Sequence, residues 1–209
     1  MWVWILLAVA VVGFVLFLSV GNKSMKNNNV VRLNKWNELS SELSNKGFNQ
    51  TSQIKVDSIH YSKELKDYLP ERVVSIDSTS NTLIVSYLAN IKTDEKANIV
   101  SCDFQHDVIA FDKIKGGSIV ELGESTKSVG TAIGSQIGNS PLVGGVSSTS
   151  TTSYIEKLEY TLKLNDIDNP EYSIVFIDRK EPKTSLWYEK HYKRAVKLNS
   201  VIETILEKQ

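Results

Sequence analysis

Cysteine and an excess of charge are what this sequence most clearly lacks. Its 209 residues include one cysteine, Cys102, so no disulfide can form within the chain and a disulfide-stabilised scaffold is excluded. The 24 basic side chains are balanced by 24 acidic ones, which gives a formal net charge of zero. Domains that bind nucleic acid normally carry a basic excess, so this balance predicts no nucleic-acid partner. The length allows one or two domains.

The N-terminus, by contrast, carries a long apolar run. Residues 2–20 read WVWILLAVAVVGFVLFLSV, without a charge. A helix of this length crosses a hydrocarbon core of about 30 Å, so a transmembrane helix is predicted within residues 1–21. No Lys or Arg precedes the run, and it is longer than the apolar region of most signal peptides. Ser19-Val20-Gly21 still resembles a cleavage site, so removal of the segment, leaving Asn22 as the first residue, stays an alternative.

Basic residues follow the apolar run before the first acid appears. They are Lys23, Lys26, Arg32 and Lys35, and the first acid is Glu38. By the positive-inside rule, the chain is predicted to be a single-pass protein of the inner (cytoplasmic) membrane, with its N-terminus outside and its C-terminal part in the cytoplasm. The same four cations are predicted to flank the membrane, with the lipid bilayer as their partner.

Residues 22–52 are predicted to form a linker and an amphipathic helix. The apolar side chains recur every three or four residues and make one stripe, formed by Leu33, Trp36, Leu39 and Leu43. Gly47 is a suitable residue to end the helix. The stripe is predicted to pack on the following domain, and packing on a second copy of the chain is the alternative. A further short helix is predicted from Ser62 to the residue before Pro70.

From Glu71 onward the apolar pattern has a period of two. A hairpin is predicted around Ser78-Thr79-Ser80-Asn81, two strands on either side of Gln105-His106, and one strand from Gly117. Further strands are predicted from near Tyr154 and from Glu171. A final helix capped by Ser185 has one apolar face, formed by Trp187, His191 or Tyr192, Ala195, Leu198, Ile202 and Ile205. Six or seven antiparallel strands and a closing helix predict a mainly β (α+β) barrel or sandwich.

Two stretches of the sequence, together with the elements that follow them, resemble a known group of proteins. VIAFDKIKGGSIVELGES (residues 108–125) precedes a charge-free glycine-rich insertion, and LEYTLKLNDIDNPEYSIVFID (residues 158–178) precedes the long final helix. This order resembles small bacterial pleckstrin-homology-like (PH-like) proteins of unknown function. The resemblance covers roughly residues 71–207 and implies a PH-like domain over residues 53–209. It implies no catalytic residues and no cofactor. The insertion here is shorter and more polar, and the N-terminal span and helix are additional.

The glycine-rich stretch spaces three glycines four residues apart. Gly130, Gly134 and Gly138 would share one helical face, with Ile133 and Ile137 alongside, a spacing typical of close helix contacts. No Gly-Lys-Ser/Thr is present, which excludes a P-loop, and the stretch is too polar to favour a membrane span. Residues 128–153 are therefore predicted to be a loop outside the core. This loop is either a plain connection or an appendage that binds a partner. Self-association of the chain, through this segment or through the transmembrane helix, is one such predicted interaction.

The segment CDFQHD is the nearest approach to a catalytic motif. Cys102 and His106 could form a nucleophile–base pair, or the segment could hold a metal. One short segment rarely supplies a whole site, so a turn with exposed polar side chains is favoured, and no metal or cofactor is predicted.

The predicted function is that of a membrane-anchored, non-enzymatic binding or scaffold protein, whose protein partner the sequence does not name. A prophage-encoded protein that excludes other phages is one compatible setting. The alternative is a hydrolase or metal-dependent enzyme that uses the Cys102/His106 segment.

Overall fold

The computed structural model describes residues 27–62, 66–131 and 148–209 of the chain. These residues form two antiparallel sheets and two helices, one of them at the C-terminus, so the predicted mainly β class with a closing helix is confirmed. The chain divides into two compact units, of which the first ends at Phe111 and the second begins at Asp112. This division falls inside the range 53–209 that the sequence predicts as one PH-like domain.

The first unit is a helix followed by a four-stranded meander. Its sheet has the strand order β1-β2-β3-β4, so each strand pairs with its neighbours in sequence. The elements are α1 (residues 27–45), β1 (Ser52–Ser62), β2 (Asp67–Asp77), β3 (Thr82–Thr93) and β4 (Ile99–Ala110).

Helix α1 packs along one face of this sheet, as the apolar stripe predicts. Trp36, Leu39 and Leu43 form a core cluster with three sheet residues, Val73, Ile84 and Phe104. The rings of Trp36 and Phe104 meet edge to face, with centroids 5.0 Å apart. The helix stops at Gly47, whose φ of +86° is a left-handed conformation that glycine adopts readily. The stripe is thus covered by the chain's own sheet.

The β2–β3 hairpin is confirmed, and Asp77 organises its turn. Its carboxylate accepts hydrogen bonds from the backbone N–H groups of Asn49 (2.8 Å), Thr79 (2.9 Å) and Ser80 (3.2 Å), and from the Ser80 hydroxyl (2.6 Å). Burial opposes ionisation, but these bonds outweigh it and lower the pKa of Asp77 to about 2. Because Asn49 follows α1, the turn also fixes the segment that leaves the helix.

Two local predictions in the first unit are wrong. The helix predicted from Ser62 to the residue before Pro70 is absent at its described residues, because Ser62 pairs with Asp67 and Tyr61 with Tyr68 across the β1–β2 hairpin. The turn predicted around Gln105-His106 lies inside the continuous strand β4. In both places, pairing with a neighbouring strand overrides the local preference that short polar segments suggest.

The second unit is built around one long strand. Strand β7 pairs along one edge with β5 and β6, which lie end to end, and along the other edge with β8. Gly123, with a φ of +70°, separates β5 from β6. The elements, preceded by a short 3₁₀ turn (Phe111–Lys113), are β5 (Ile114–Leu122), β6 (Ser125–Thr131), β7 (Ser148–Leu164), β8 (Glu171–Pro182) and α2 (Leu186–Glu207).

Helix α2 covers this second sheet and contacts β5, β7 and β8. The Ser185 hydroxyl accepts a hydrogen bond from the backbone N–H of Tyr188 at 3.0 Å, which confirms the predicted N-cap. The apolar face predicted from the sequence is the buried one, with His191, Ala195, Leu198, Ile202 and Ile205 inside.

Gly117 on β5 gives a sharp test of packing beneath α2. A Cβ built at Gly117 would lie 2.2 Å from the hydroxyl oxygen of Tyr160, which is fully buried and donates to Asn199 at 3.2 Å. We expect Gly117→Ala to lower the free energy of unfolding by roughly 1–2 kcal/mol, because the ring must move within a packed core. The matched control is Gly116→Ala, since nothing lies within 4 Å of a Cβ there. Equal urea midpoints for the two variants would contradict this packing.

Neither sheet closes into a barrel within the three described ranges. Among the same residues, no helix is long and apolar enough to cross a membrane. The transmembrane helix predicted for residues 1–21 lies outside the described residues.

Candidate functional site

The predicted membrane-flanking cations lie partly on α1. Lys23 and Lys26 are outside the described residues, whereas Arg32 and Lys35 lie on the helix. The Lys35 ammonium is 3.3 Å from Glu42 and 3.4 Å from Glu38, and it also stands over the Phe104 ring. Partial burial works against the charged form, but the two carboxylates raise the pKa of Lys35. Lys35 is therefore engaged by the folded unit itself.

The glycine-rich segment is described only at its ends. Gly130 lies on strand β6 and pairs with Thr149 on β7. Gly130 therefore does not belong to the helical face predicted from the four-residue spacing of the glycines. Strand β7 begins at Ser148, earlier than the predicted start near Tyr154. The residues at the two ends of the glycine-rich segment pair with each other and lengthen the β6–β7 hairpin. Ile133, Gly134, Ile137 and Gly138 lie outside the described residues, and their predicted role in interaction stays a prediction.

Cys102 and His106 share one face of β4, the face that α1 covers. They are four residues apart on an extended strand, which separates their Cα atoms by about 13 Å, with Phe104 between them. Cys102 is buried and the side chain of His106 is only 5% exposed, so neither is displayed on an exposed turn. Burial raises the pKa of the Cys102 thiol, although Lys35 and Arg32 act in the opposite direction. A direct nucleophile–base contact between the two does not fit this spacing.

His106 instead bridges two residues that the sequence does not single out. Its Nδ1 lies 2.9 Å from the Ser86 hydroxyl on β3, and its Nε2 lies 3.2 Å from the Glu42 carboxylate on α1. Partial burial opposes ionisation of Glu42, but contacts with His106 and Lys35 lower its pKa. The three residues have the composition of a Ser-His-acid triad. Ser86, however, is fully buried, so no substrate can reach its hydroxyl.

This bridge therefore joins α1 to the sheet. The sequence gives little sign of this bridge, because Ser86 lies 20 residues and Glu42 lies 64 residues before His106. Strand pairing and the packing of α1 on the sheet bring the three residues together. The alternation of β4 could have placed His106 on the same face as Phe104, but not its partners.

Replacing Glu42 tests the bridge. We expect Glu42→Ala to lower the free energy of unfolding by about 1 kcal/mol, since it removes the contacts with both His106 and Lys35. Glu38→Ala is the matched control on the same helix, because Glu38 is more exposed and contacts only Lys35 among these residues. Its effect should stay within about 0.5 kcal/mol. Urea unfolding of the two variants compares them, and an equal loss would show that the His106 contact contributes nothing.

An open cleft lies beside this bridge, where α1 meets β4. Its volume is about 310 Å³, near the lower limit for small-molecule sites. Its walls combine apolar and charged groups, from Val31, Asn34, Lys35, Glu38, Ser101 and Cys102.

In the second unit, charged groups join the start of α2 to β5. Lys183 pairs with Glu121 and Glu124, and the Tyr188 hydroxyl donates to Glu121. Although burial opposes ionisation of Glu121, Lys183 and Tyr188 lower its pKa. These contacts fix the entry to the helix.

Within the described ranges, no three His, Cys, Asp or Glu side chains are grouped closely enough to hold a metal ion. No protein-family model, curated protein or solved structure matches the chain. The candidate functional surface is therefore chosen from the contacts within the first unit. It consists of helix α1 and the end of the first sheet that the first described turn of α1 contacts.

Proposed function

We propose that this protein is a membrane-anchored, non-enzymatic binding or scaffold protein that presents a PH-like domain on the cytoplasmic side of the inner membrane. The observation that carries the proposal is the docking of α1. Only residues 21–26 separate the apolar run from Asn27, the first described residue of this helix, and α1 is packed onto the sheet through Trp36, Leu39 and Leu43. An anchor joined in this way holds the folded unit close to the bilayer.

The order of elements supports the PH-like part of the proposal. A four-stranded meander is followed by the sheet around β7 and then by one long C-terminal helix. Strands β5 and β6 together act as one edge strand bent at Gly123. This is the order that the resemblance implies. The function proposed here rests on the anchor and on α1, since a fold alone does not define a function.

The enzyme alternative receives less support from the contacts of its two residues. Cys102 and His106 are too far apart to act directly on each other, and the His106 ring is engaged by Ser86 and Glu42. Within the proposed function, the glycine-rich segment over residues 128–153 is either a plain connection or a site of contact with a second copy or a protein partner. Exclusion of other phages remains one biological setting for such a protein.

Extraction of the full chain from membranes tests the proposal. Charged side chains at the centre of a span cost about 2.5–3.5 kcal/mol each, so Val11→Lys combined with Phe14→Lys should abolish stable insertion. Val11→Leu combined with Phe14→Leu is the matched control. We expect the native chain and the leucine variant to stay in the membrane pellet at alkaline pH, and the lysine variant to be released. Release of the native chain would overturn the proposal.

A further inference from the structure

Exposed apolar side chains of the first unit are concentrated at one end of its sheet. Among its described residues five large apolar side chains are exposed, and four of them lie at this end: Ile59 (62%), Tyr61 (48%), Ile91 (44%) and Val100 (66%). The fifth, Val108, lies towards the other end, opposite Ile84. We call the end formed by the first four residues the apolar end.

The meander explains why these four residues come together. In an antiparallel meander, alternate turns lie at the same end of the sheet. The β1–β2 turn follows the pair Ser62 and Asp67, and the β3–β4 turn follows the pair Thr93 and Ile99. The β2–β3 turn, at Asp77 and Thr82, lies at the opposite end and carries serine, threonine and asparagine.

The first described residues of α1 lie at the apolar end. The Asn28 side chain accepts a hydrogen bond from the backbone N–H of Ile99 at 2.6 Å and donates one to the carbonyl oxygen of Ala97 at 3.2 Å. The first described turn of α1 is thereby attached to the β3–β4 turn.

The chain that precedes α1 limits how far this end can lie from a bilayer. The apolar run ends at Val20, and six residues, 21–26, lie between it and Asn27, the first described residue of α1. Six extended residues reach at most about 20 Å. If the run spans the membrane, as the proposed function requires, Asn27 lies within that distance of its surface.

We propose that the apolar end rests on the lipid surface, with Ile59, Tyr61, Ile91 and Val100 reaching the interfacial region of the bilayer. This inference rests on the proposed function. Tyrosine is favoured at the membrane interface because its ring is apolar and its hydroxyl is polar, and Tyr61 packs edge to face on Tyr68 with centroids 5.4 Å apart. Lys92 and Lys96 at the same end extend aliphatic stems that can lie on the bilayer while their ammonium groups stay in water. The anchored domain would then have a defined orientation, with the β2–β3 turn pointing away from the membrane.

Fluorescence quenching by lipid tests the orientation in the full chain. Cys102→Ala removes the native thiol, and an environment-sensitive dye is attached to Glu95→Cys in the β3–β4 turn or to Ser78→Cys in the β2–β3 turn. The two positions are at opposite ends of β3, about 36 Å apart for its 12 residues. The protein is reconstituted into vesicles of phosphatidylethanolamine and phosphatidylglycerol that contain a headgroup-labelled quencher lipid. We expect at least twofold stronger quenching at position 95 than at position 78.

Two further measurements separate the outcomes. Alkaline extraction of the same vesicles reports on the anchor, so release of the chain overturns the proposed function and this inference with it. Retention of the chain with equal quenching at positions 95 and 78 overturns the inference alone. Ile91→Ser combined with Val100→Ser, at two exposed positions, should reduce quenching at position 95 while retention stays unchanged. Undiminished quenching in this variant would show that these two apolar side chains do not make the contact.

Discussion

Leu198→Ala is expected to lower the free energy of unfolding by about 2–5 kcal/mol, the usual cost of truncating a buried leucine. Leu198 has no exposed surface and lies in the middle of the buried face of α2, between Ala195 and Ile202. The substitution removes apolar contacts with the second sheet and leaves a cavity beneath the helix. Urea unfolding followed by circular dichroism measures the loss.

The same helix provides the control for Leu198. Val196 is 41% exposed, so Val196→Ala removes a smaller apolar group that is largely in water already. It should change the free energy of unfolding by no more than about 0.5 kcal/mol. Comparable losses in the two variants would mean that α2 does not cover the sheet through the face that contains Leu198.

Asp77→Asn is expected to cost about 2–3 kcal/mol at neutral pH, because the carboxylate accepts four hydrogen bonds in the β2–β3 turn and is fully buried. An amide keeps the shape but loses the charge that strengthens those bonds, and its NH₂ group cannot accept from the donors facing it. Unfolding in urea at pH 7 compares the native chain with the variant.

The effect of Asp77 depends on pH in a direction set by its pKa. The pKa of Asp77 is lowered in the folded protein from 3.8 to about 2. A carboxyl group with a depressed folded pKa stabilises the protein above its unfolded pKa, and the stabilisation is lost as the pH falls through the folded value. The difference between the native chain and Asp77→Asn should therefore be constant from pH 7 to about pH 5 and should narrow from about pH 4 towards pH 2. A difference that stays constant down to pH 3 would contradict the assignment.

The features that the sequence predicts well are those with a long, regular pattern. The stripe through Trp36, Leu39 and Leu43 and the face through Leu198 and Ile202 are both buried as expected. Each repeats a 3.6-residue period over several turns, so one misplaced residue does not change the prediction.

The features that the sequence misses depend on partners distant in the chain. Gln105 and His106 interrupt an apolar pattern and look like a turn, but the His106 side chain faces α1, where Ser86 and Glu42 engage its ring. Likewise, Tyr68 and Leu69 look like part of a short helix until pairing with β1 and burial of Leu69 are known. In both cases tertiary contacts outweigh local propensity.

The proposed function depends on the membrane topology, which a reporter at the C-terminus tests. The full chain is fused after Gln209 to an enzyme that is active only outside the cytoplasm, and in parallel to a protein that is fluorescent only inside it. The four cations that follow the apolar run predict a fluorescent fusion and a silent enzyme, with an intact N-terminal segment in the membrane fraction. Strong enzyme activity outside the cytoplasm, or a mature chain that begins at Asn22, would contradict the account.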